Sequence, residues 1–375
     1  MKRTTSTTTD LKLINRNKVY QYIYKNDNVA KQDLVLALGL SLPTINQNIT
    51  ELFDMGLLCY AGTFESSGGR KPKKISVKPD ARMVIGVEIT AEYINILAID
   101  LKGNTLPSEC LNVNFEACDR YGETLAKAIK NYIHAKTINP DIILGIGISI
   151  PGVLCEEKRN ILNAPTLKAK QVAIDVLTKY IPNETFIEND ANASAFAELH
   201  SRKNFKSLAF LSVCEGVGGA LIYNDVSYTG MNNRGAEFGH MTVVNGGKQC
   251  ACGNYGCLEA YISTSILEYG SDRRIDVFFE KLKEGDASCR VVWEEYMAYL
   301  CQGINNIRTI FDCDVILGGT LAKYIGGYFE DIKGRLGRIA VFEKNADYLH
   351  LSNYTSNASA IGTALHFVDK FIKTV

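Results

Sequence analysis

Features that would place a chain in a membrane or outside the cell are missing from these 375 residues. The sequence contains no run of about eighteen apolar residues, the length that a membrane-spanning helix needs. The N-terminus, M-K-R-T-T-S-T-T-T-D, has no apolar segment behind its charges and does not resemble a secretory signal. The eleven cysteines are odd in number and, outside one cluster, show no disulfide-framework spacing, which favours a reducing cytoplasm.

Net charge is also absent, but its distribution along the chain is uneven. Residues 1–80 hold twelve Lys and Arg against seven Asp and Glu, a balance of +5, so the remaining residues carry −5. A basic head on an acidic body is expected when only the head meets a polyanion. The chain is too long for one ordinary core, and its apolar content of 46% is that of a globular protein, so we expect two or three domains.

The first eighty residues have the pattern of a helix-turn-helix. Apolar residues recur at helical spacing over residues 11–24, and a second short helix is expected over residues 30–38. Gly39 is expected to end this second helix, and Ser41 to N-cap a third one with Pro43 in its first turn. Two helices joined by a tight glycine turn are the layout of a DNA-binding head.

Two strand-like segments, residues 57–60 and 75–77, bracket a basic, glycine-rich loop and predict a two-stranded wing. We expect the third helix to read bases in a major groove and the wing tip to contact phosphates or a minor groove. The residues predicted to contact DNA are Ser41, Thr44, Asn46, Gln47, Asn48, Arg70 and Lys71. The alternative is a protein-docking domain with a solvated basic loop.

One His and three Cys between residues 237 and 259 have a spacing that suits a single tetrahedral zinc ion. The predicted ligands are His240, Cys250, Cys252 and Cys257. These four donors fill all coordination positions, which predicts a structural rather than a catalytic metal. Gly253 and Gly256 allow the tight reversal between the thiolates. The alternative is a group of buried, reduced cysteines.

A carboxylate lies on each side of these ligands, Glu237 before His240 and Glu259 after Cys257. A metal-bound His has its second ring nitrogen free to donate a hydrogen bond. Together the three side chains would frame a pocket suited to a polyhydroxylated ligand such as a sugar. Alternatively, the two glutamates only orient the metal ligands, and the local sequence does not separate these interpretations.

The run G-A-E-F-G-H followed by C-x-C-G-x-x-G-C-L-E resembles the fingerprint of the ROK family of bacterial sugar repressors, uncharacterised frames and sugar kinases. The resemblance implies an α/β fold: an N-terminal winged helix-turn-helix followed by a two-lobed, actin-like (ribonuclease H-like) ATPase-type domain. The expected domains are the head at 1–80, a first lobe at 81–200 and a second lobe at 201–375, whose last helix packs back on the first. G-G-R-K-P after the wing resembles the repressor branch, whose members respond to xylose, glucose or N-acetylglucosamine.

The segment F-I-E-N-D-A-N-A at residues 186–193 resembles a second family motif, in which a strand ends and a helix begins. The resemblance implies that a sugar binds among Asn189, Asp190, Glu237, His240 and Glu259. In kinases of the family, the Asp matching Asp190 takes the proton from the attacking sugar hydroxyl. The alternative for Asp190 is a simple helix cap.

Both loops that match the phosphate-binding loops of family kinases depart from the family pattern. The first should read D-x-G-G-T, but residues 88–92 read E-I-T-A-E, and the second carries Glu215 where kinases carry Thr. Acidic side chains repel a triphosphate, and a nest of backbone N–H groups without glycine is hard to close. The sequence therefore predicts retained sugar recognition and lost phosphate recognition.

These features together predict a cytoplasmic, zinc-containing, sugar-responsive DNA-binding transcriptional regulator that acts as a repressor rather than an enzyme. We expect it to bind an inverted-repeat operator as a homodimer or tetramer, to respond to a monosaccharide or sugar derivative, and to have no membrane partner. One alternative is an ATP-dependent sugar kinase with an appended head, in which Asp190 would be the catalytic residue. The other is a metal-stabilised scaffold without a ligand.

Overall fold

The computed structural model of the protein describes residues 8–65, 71–155, 159–202, 204–268 and 274–375. The head has the predicted order of three helices and two antiparallel strands. Their bounds are α1 (Thr8–Asn26), α2 (Lys31–Leu38), α3 (Leu42–Asp54), β1 (Leu58–Thr63) and β2 (Lys73–Val77). Helix α1 begins at Thr8, three residues before the predicted start at residue 11. The predicted start is late because the first turn is polar, and apolar periodicity does not detect a polar turn.

The turn between α2 and α3 is fixed by its two capping residues, as predicted. Gly39 adopts a left-handed conformation with φ 63°, and its N–H donates to the carbonyl of Val35. Ser41 caps α3, because its side chain accepts from the N–H of Thr44 at 3.3 Å. The head core contains the apolar face of α3, which buries Ile45, Ile49 and Leu52.

The body consists of strands and helices that alternate along the chain. Its strands are β3 (Met83–Ile89), β4 (Tyr93–Asp100), β5 (Glu109–Asn112), β6 (Ile143–Ile150), β7 (Val153–Cys155), β8 (Asn160–Ala164), β9 (Ala169–Ala173), β10 (Thr185–Asn189), β11 (Leu208–Val213), β12 (Val217–Tyr223), β13 (Val226–Ser227), β14 (Asp314–Gly318) and β15 (Leu349–Leu351). Its helices are α4 (Asp119–Ala135), α5 (Asp175–Thr178), α6 (Asp190–Ser201), α7 (Glu259–Ile262), α8 (Ile275–Glu284), α9 (Ala287–Phe311), α10 (Phe329–Ile339) and α11 (Ala358–Thr374).

Two five-stranded sheets of the same topology form the two lobes. The first sheet has the order β10-β6-β3-β4-β5 and the second has the order β15-β14-β11-β12-β13. In each sheet the first three strands are parallel and the last two continue antiparallel. This duplication, with the winged head before it, confirms the predicted fold class. The exact division into three domains stays a prediction.

The last helix, α11, returns to the first sheet and packs across β3 and β6. Two strand glycines make this approach possible. A Cβ at Gly86 would lie 2.3 Å from the carbonyl oxygen of Ala360, and one at Gly147 would lie 2.4 Å from the carbonyl carbon of Thr363. The helix also joins a hydrophobic cluster that includes Tyr20 of the head and Leu97 of β4. Head, first sheet and last helix therefore share one core.

The sequence interpretation missed a small antiparallel sheet made of β7, β8 and β9. Strands this short have no clear alternation of apolar and polar residues, so the sequence pattern does not detect them. Within the described part of the chain, no helix combines the length and the hydropathy needed to cross a membrane.

Candidate functional site

The four predicted metal ligands lie together in the second lobe. The donor atoms of His240, Cys250, Cys252 and Cys257 are all within 4.8 Å of one another. The Sγ atoms of Cys252 and Cys257 are 3.8 Å apart, as are Sγ of Cys250 and Nδ1 of His240. The edges of a tetrahedral zinc site with Zn–S of about 2.3 Å and Zn–N of about 2.0 Å measure roughly 3.5–3.8 Å. The described geometry therefore suits a tetrahedral metal ion.

The glycines of the Cys segment have the conformations that the reversal requires. Gly253 and Gly256 have φ of 93° and 81°, values that favour glycine. A Cβ at Gly256 would lie only 1.7 Å from the carbonyl oxygen of Val244. Cys250 is held by a bond from its N–H to the carbonyl of Asn254 at 2.8 Å. These backbone conformations bring the three cysteines near one another in space.

Glu259 connects this cluster to residues 214–219, the loop that matches the second phosphate-binding loop of family kinases. The two matching loops, 88–92 and 214–219, are called below the first and second loops of the cleft between the lobes. Its Oε2 accepts from the N–H of Val217 at 2.9 Å, and its Oε1 lies 3.3 Å from Sγ of Cys250. The second contact requires a thiol proton on Cys250. A metal-bound thiolate has no proton to donate, so metal binding would leave Oε1 without this donor.

Asn189 and Asp190 lie where β10 ends and α6 begins, as predicted. Asn189 is the N-cap, and its side chain accepts from the N–H groups of Ala191 and Asn192 at 2.9 and 3.0 Å. Asp190 accepts at Oδ1 from Ala191 N–H and from the Asn189 amide. Burial raises the pKa of Asp190. Asn189 holds the N-cap position, and Asp190 also accepts from an N–H group of the first turn.

Three structural segments converge on the cleft beside Asp190. A Cβ at Gly218 would contact Ala191 of α6 at 3.6 Å, and one at Gly216 would lie 3.5 Å from the Glu259 carboxylate. Burial raises the pKa of Glu237, the adjacent charge of His240 lowers it, and Asp190 and Glu259 raise it further. His240, Asp190 and Glu259 are therefore near enough to Glu237 for their charges to act on it, and Asn189 bonds to Asp190.

In the first loop of the cleft, the backbone N–H groups of neighbouring residues donate to acceptors of the same turn. Thr90 N–H donates to the carbonyl of Tyr93 at 3.0 Å, and the Thr90 hydroxyl accepts from the N–H groups of Glu92 and Tyr93. In the second loop, the N–H of Val217 is taken by Glu259. These amides are therefore not directed towards an anionic ligand.

Glu88 is partly buried at the start of the first loop. Its carboxyl accepts from the hydroxyl of Ser359 at 2.9 Å, and Ser149 donates to that hydroxyl at 2.9 Å. Burial raises the pKa of Glu88; the Ser359 bond lowers it and the charge of Asp190 raises it. Ser359, at the start of α11, was missed from the sequence because it is 271 residues away.

The predicted DNA-contacting residues of α3 differ in their exposure. Ser41 and Gln47 are exposed, while Thr44 and Asn46 are partly exposed. Gln47 donates to Glu51 at 3.1 Å, and Asn46 accepts from Lys31 at 2.7 Å. Lys71 is exposed, whereas Arg70 lies outside the described residues.

Asn48 is the exception within α3, and its predicted role in reading bases needs correction. The side chain is only 5% exposed and faces the core beside Ile49. Its amide donates to the carbonyl of Thr44 at 2.7 Å, one helical turn earlier. Such a side chain contributes to the packing of the head and does not reach a base edge.

The chain is similar to proteins of known family in both sequence and structure. A profile described as the ROK family matches residues 84–370. The xylose repressor of Bacillus subtilis strain 168 is 25% identical over 379 residues, covering 98% of both chains. A crystal structure of a ROK family transcriptional regulator, a homologue of the Escherichia coli MLC protein, matches 97% of both chains with a TM-score of 0.77 and 22% identity. The ROK hexokinase of Thermus thermophilus matches 76% of this chain and 97% of its own, with a TM-score of 0.61 and 27% identity.

Proposed function

Because the chain belongs to the ROK family, we propose that it is a transcriptional repressor whose operator binding is controlled by a sugar. The observation that carries the proposal is the pairing of a winged helix-turn-helix with a kinase-like cleft in which the loop amides of Thr90, Tyr93 and Val217 already bond to other groups of the protein. A cleft of this kind can hold a hydroxylated ligand without hosting a triphosphate. Ligand binding then changes the fraction of operator DNA that is occupied by the protein.

The sugar is held by alternating donors and acceptors at the border of the cleft. Asp190, Glu237 and Glu259 offer carboxylate oxygens to sugar hydroxyls, and the Asn189 amide and the free ring nitrogen of His240 offer donors. With metal bound, Glu259 Oε1 loses its Cys250 donor and becomes available to a hydroxyl. The effector that we propose first is D-xylose, because the relative from Bacillus subtilis is named a xylose repressor.

The metal is zinc, and it is structural. Three thiolates and one imidazole suit zinc over magnesium or calcium, which prefer oxygen ligands. His240, Cys250, Cys252 and Cys257 would hold it, and with all positions filled it supplies cross-linking rather than catalysis. The ion would fix the segment that carries both Glu237 and Glu259, so its loss would disorder the sugar site.

The head contacts DNA through the exposed side of α3 and the wing. Ser41, Thr44, Asn46 and Gln47 would meet base edges, while Arg70 and Lys71 would meet phosphates. A homodimer on an inverted repeat follows from the symmetry of such heads. Sugar binding would change the spacing of the two heads and release the operator.

The test uses the purified full-length protein and a DNA duplex that it selects from a random pool. D-Xylose, D-glucose and N-acetylglucosamine are screened for an increase in melting temperature, since a ligand that binds only the folded state stabilises it. The active sugar is then titrated against the protein–DNA complex by fluorescence anisotropy. Failure to select any DNA sequence would remove the regulator proposal, and the lack of stabilisation by any sugar would favour a scaffold without a ligand.

A sugar kinase is the second candidate, and two observations favour it. The sequence motif around Asp190 resembles the one that carries the catalytic base in family kinases, and the overall fold is similar to a ROK hexokinase. The internally bonded loops and Glu88 oppose it. Clear ATP turnover with any hexose, pentose or amino sugar, lost on Asp190→Asn, would establish the kinase instead.

A further inference from the structure

Helix α6 spans the distance from the cleft to the DNA-binding head. It begins at Asp190 in the cleft and ends at Ser201, which gives a length of roughly 18 Å at 1.5 Å per residue. One side of α6 packs tightly on α11, since a Cβ at Gly362 of α11 would lie 1.7 Å from the carbonyl oxygen of Ala193 in α6. Ala195 of the same helix packs against Phe210 and Ala220 of the second sheet, so α6 contacts both lobes.

The last turn of α6 contacts the head directly. Nε2 of His200 lies 3.0 Å from the hydroxyl of Tyr24 in α1, and the two rings meet edge to face. Burial lowers the pKa of His200, so its ring is neutral and accepts the Tyr24 proton in the tautomer protonated on Nδ1. Lys102 makes a second tie between first sheet and head, donating to Asp27 and to the Tyr24 carbonyl.

Glu198 lies half a turn before His200 and bonds together the two segments in which the chain passes from one lobe to the other. The chain leaves the first lobe through α6 and returns to it through residues 352–357. The Glu198 carboxylate accepts from Ser352 Oγ and from Asn353 N–H at 2.8 Å, as well as from Arg202 Nε at 3.0 Å. The side chain is fully buried, so these bonds satisfy a charge that water does not reach.

Glu198, which contacts the segment that connects the lobes, and His200, which contacts the head, therefore lie two residues apart on one helix. We call the first contact the hinge and the second the joint. A movement of the lobes about Glu198 would reorient the end of α6, where His200 contacts the head. A ligand shifts such an equilibrium only if some contact differs between the two arrangements. A hydrogen bond across the joint is a contact of this kind.

We propose that His200 and Tyr24 are positioning residues for the sugar response, transmitting lobe movement at Glu198 to the DNA-binding head. The inference rests on the proposed function and adds the route by which the ligand acts. Neither residue touches sugar or DNA in this scheme. Loss of their bond therefore uncouples the two sites without removing either one.

The experiment compares Tyr24→Phe with the wild type and with Tyr22→Phe as a matched control. Tyr22 is on the same helix, and its hydroxyl makes no hydrogen bond within the described part of the chain. The measured quantity is the ratio of operator Kd with and without saturating D-xylose, or another sugar found to stabilise the wild type. We expect Tyr24→Phe to reduce this ratio about fivefold and Tyr22→Phe to preserve it. Sugar affinity, measured by calorimetry, should stay within twofold in both.

Two substitutions of His200 separate positioning from simple packing. His200→Gln retains an acceptor for the Tyr24 hydroxyl and should keep most of the response, whereas His200→Leu removes the acceptor and should behave as Tyr24→Phe does. A full response in both Tyr24→Phe and His200→Leu would overturn the inference while leaving the proposed function standing. A wild type without any sugar response would overturn the proposed function, and the inference with it.

Discussion

Gly362 of α11 faces the carbonyl of Ala193 in α6 so closely that an added Cβ would lie 1.7 Å from that oxygen. The contact is between backbones, so no side-chain rotamer can relieve the overlap. The two helices that begin beside the cleft are thereby held at the smallest separation their backbones allow. The packing of α6 on α11 depends on this one missing methyl group.

Gly362→Ala is expected to destabilise the protein by about 1–3 kcal/mol, because the helices must separate to admit the methyl group. Gly334 in α10 provides the matched control, since it is also helical and a Cβ there meets nothing within 4 Å. Gly334→Ala should stabilise the protein by about 0.5–1 kcal/mol through helix propensity. Urea unfolding of both variants measures the difference. Equal effects of the two substitutions would contradict the close packing.

Removal of the metal is expected to lower stability and to abolish sugar binding together. Cys252→Ser should lose zinc, measured as metal per chain by mass spectrometry, and should lower the melting temperature by about 5 °C or more. Cys110→Ser is the control, because Cys110 is exposed on β5 and outside the cluster. Zinc retained at one ion per chain in Cys252→Ser would exclude this ligand set.

Asp190→Asn is expected to remove the sugar-induced rise in melting temperature. The amide keeps the shape of the side chain but replaces one acceptor oxygen with a donor. The readout is the difference in melting temperature with and without sugar, because neutralising a partly buried carboxylate also changes the stability of the free protein. Asp175→Asn, in the exposed turn of α5, serves as the control. An unchanged shift in Asp190→Asn would place the sugar elsewhere.

Glu88→Gln is expected to make the protein more stable at neutral pH. Burial raises the folded-state pKa of Glu88 above its usual 4.5, so the folded state holds the proton more tightly than the unfolded chain does. In the wild type, the free energy of unfolding therefore falls as pH rises above about 4.5 towards the folded pKa of Glu88. The amide of Glu88→Gln does not ionise, so the variant does not lose this stability. The stability gap between variant and wild type should therefore widen with rising pH.

The control for this titration is Glu92→Gln, since Glu92 is exposed in the same loop. Comparison of the two variants separates the effect of the Glu88 carboxyl from the loss of any carboxylate in this loop. Melting temperatures between pH 4 and pH 8 are the measurement. A gap for Glu88→Gln that does not change with pH would mean that the carboxyl is not the group responsible.

Lys71→Ala is expected to weaken operator binding equally for all DNA sequences. A lysine that contacts a phosphate contributes counterion release, so the slope of log Kd against log salt should fall by about 1. Lys130→Ala, exposed on α4 far along the chain from the head, should leave the slope unchanged. A change of sequence preference in Lys71→Ala would instead assign this residue to base readout.

The sequence predicted those parts of the fold and site whose signals are local. The cap at Ser41, the strand-to-helix junction at Asn189 and the close spacing of the Cys segment each depend on residues within a few positions of one another. Contacts made by distant segments had no such signal. Ser359 reaches Glu88 across 271 residues, and His200 reaches Tyr24 across 176.

Asn48 shows a different limit of sequence reasoning. A polar residue near the predicted reading side of a helix indicates exposure, and its neighbours Asn46 and Gln47 fit that expectation. The Asn48 amide instead bonds to the carbonyl of Thr44, which lets a polar side chain enter the core at little cost. Only the three-dimensional packing of α3 on the rest of the head distinguishes the two outcomes.

The shared core of head, first sheet and α11 has a consequence for synthesis of the protein on the ribosome. Strand β3 is translated roughly 270 residues before α11, an interval of about 15 to 55 s at typical elongation rates. During that time the apolar surface of Val84 and Leu97 lacks the helix that later covers it. The nascent chain therefore presents a long-lived apolar surface, the type of segment on which chaperones act, before the DNA-binding head can dock in its final position.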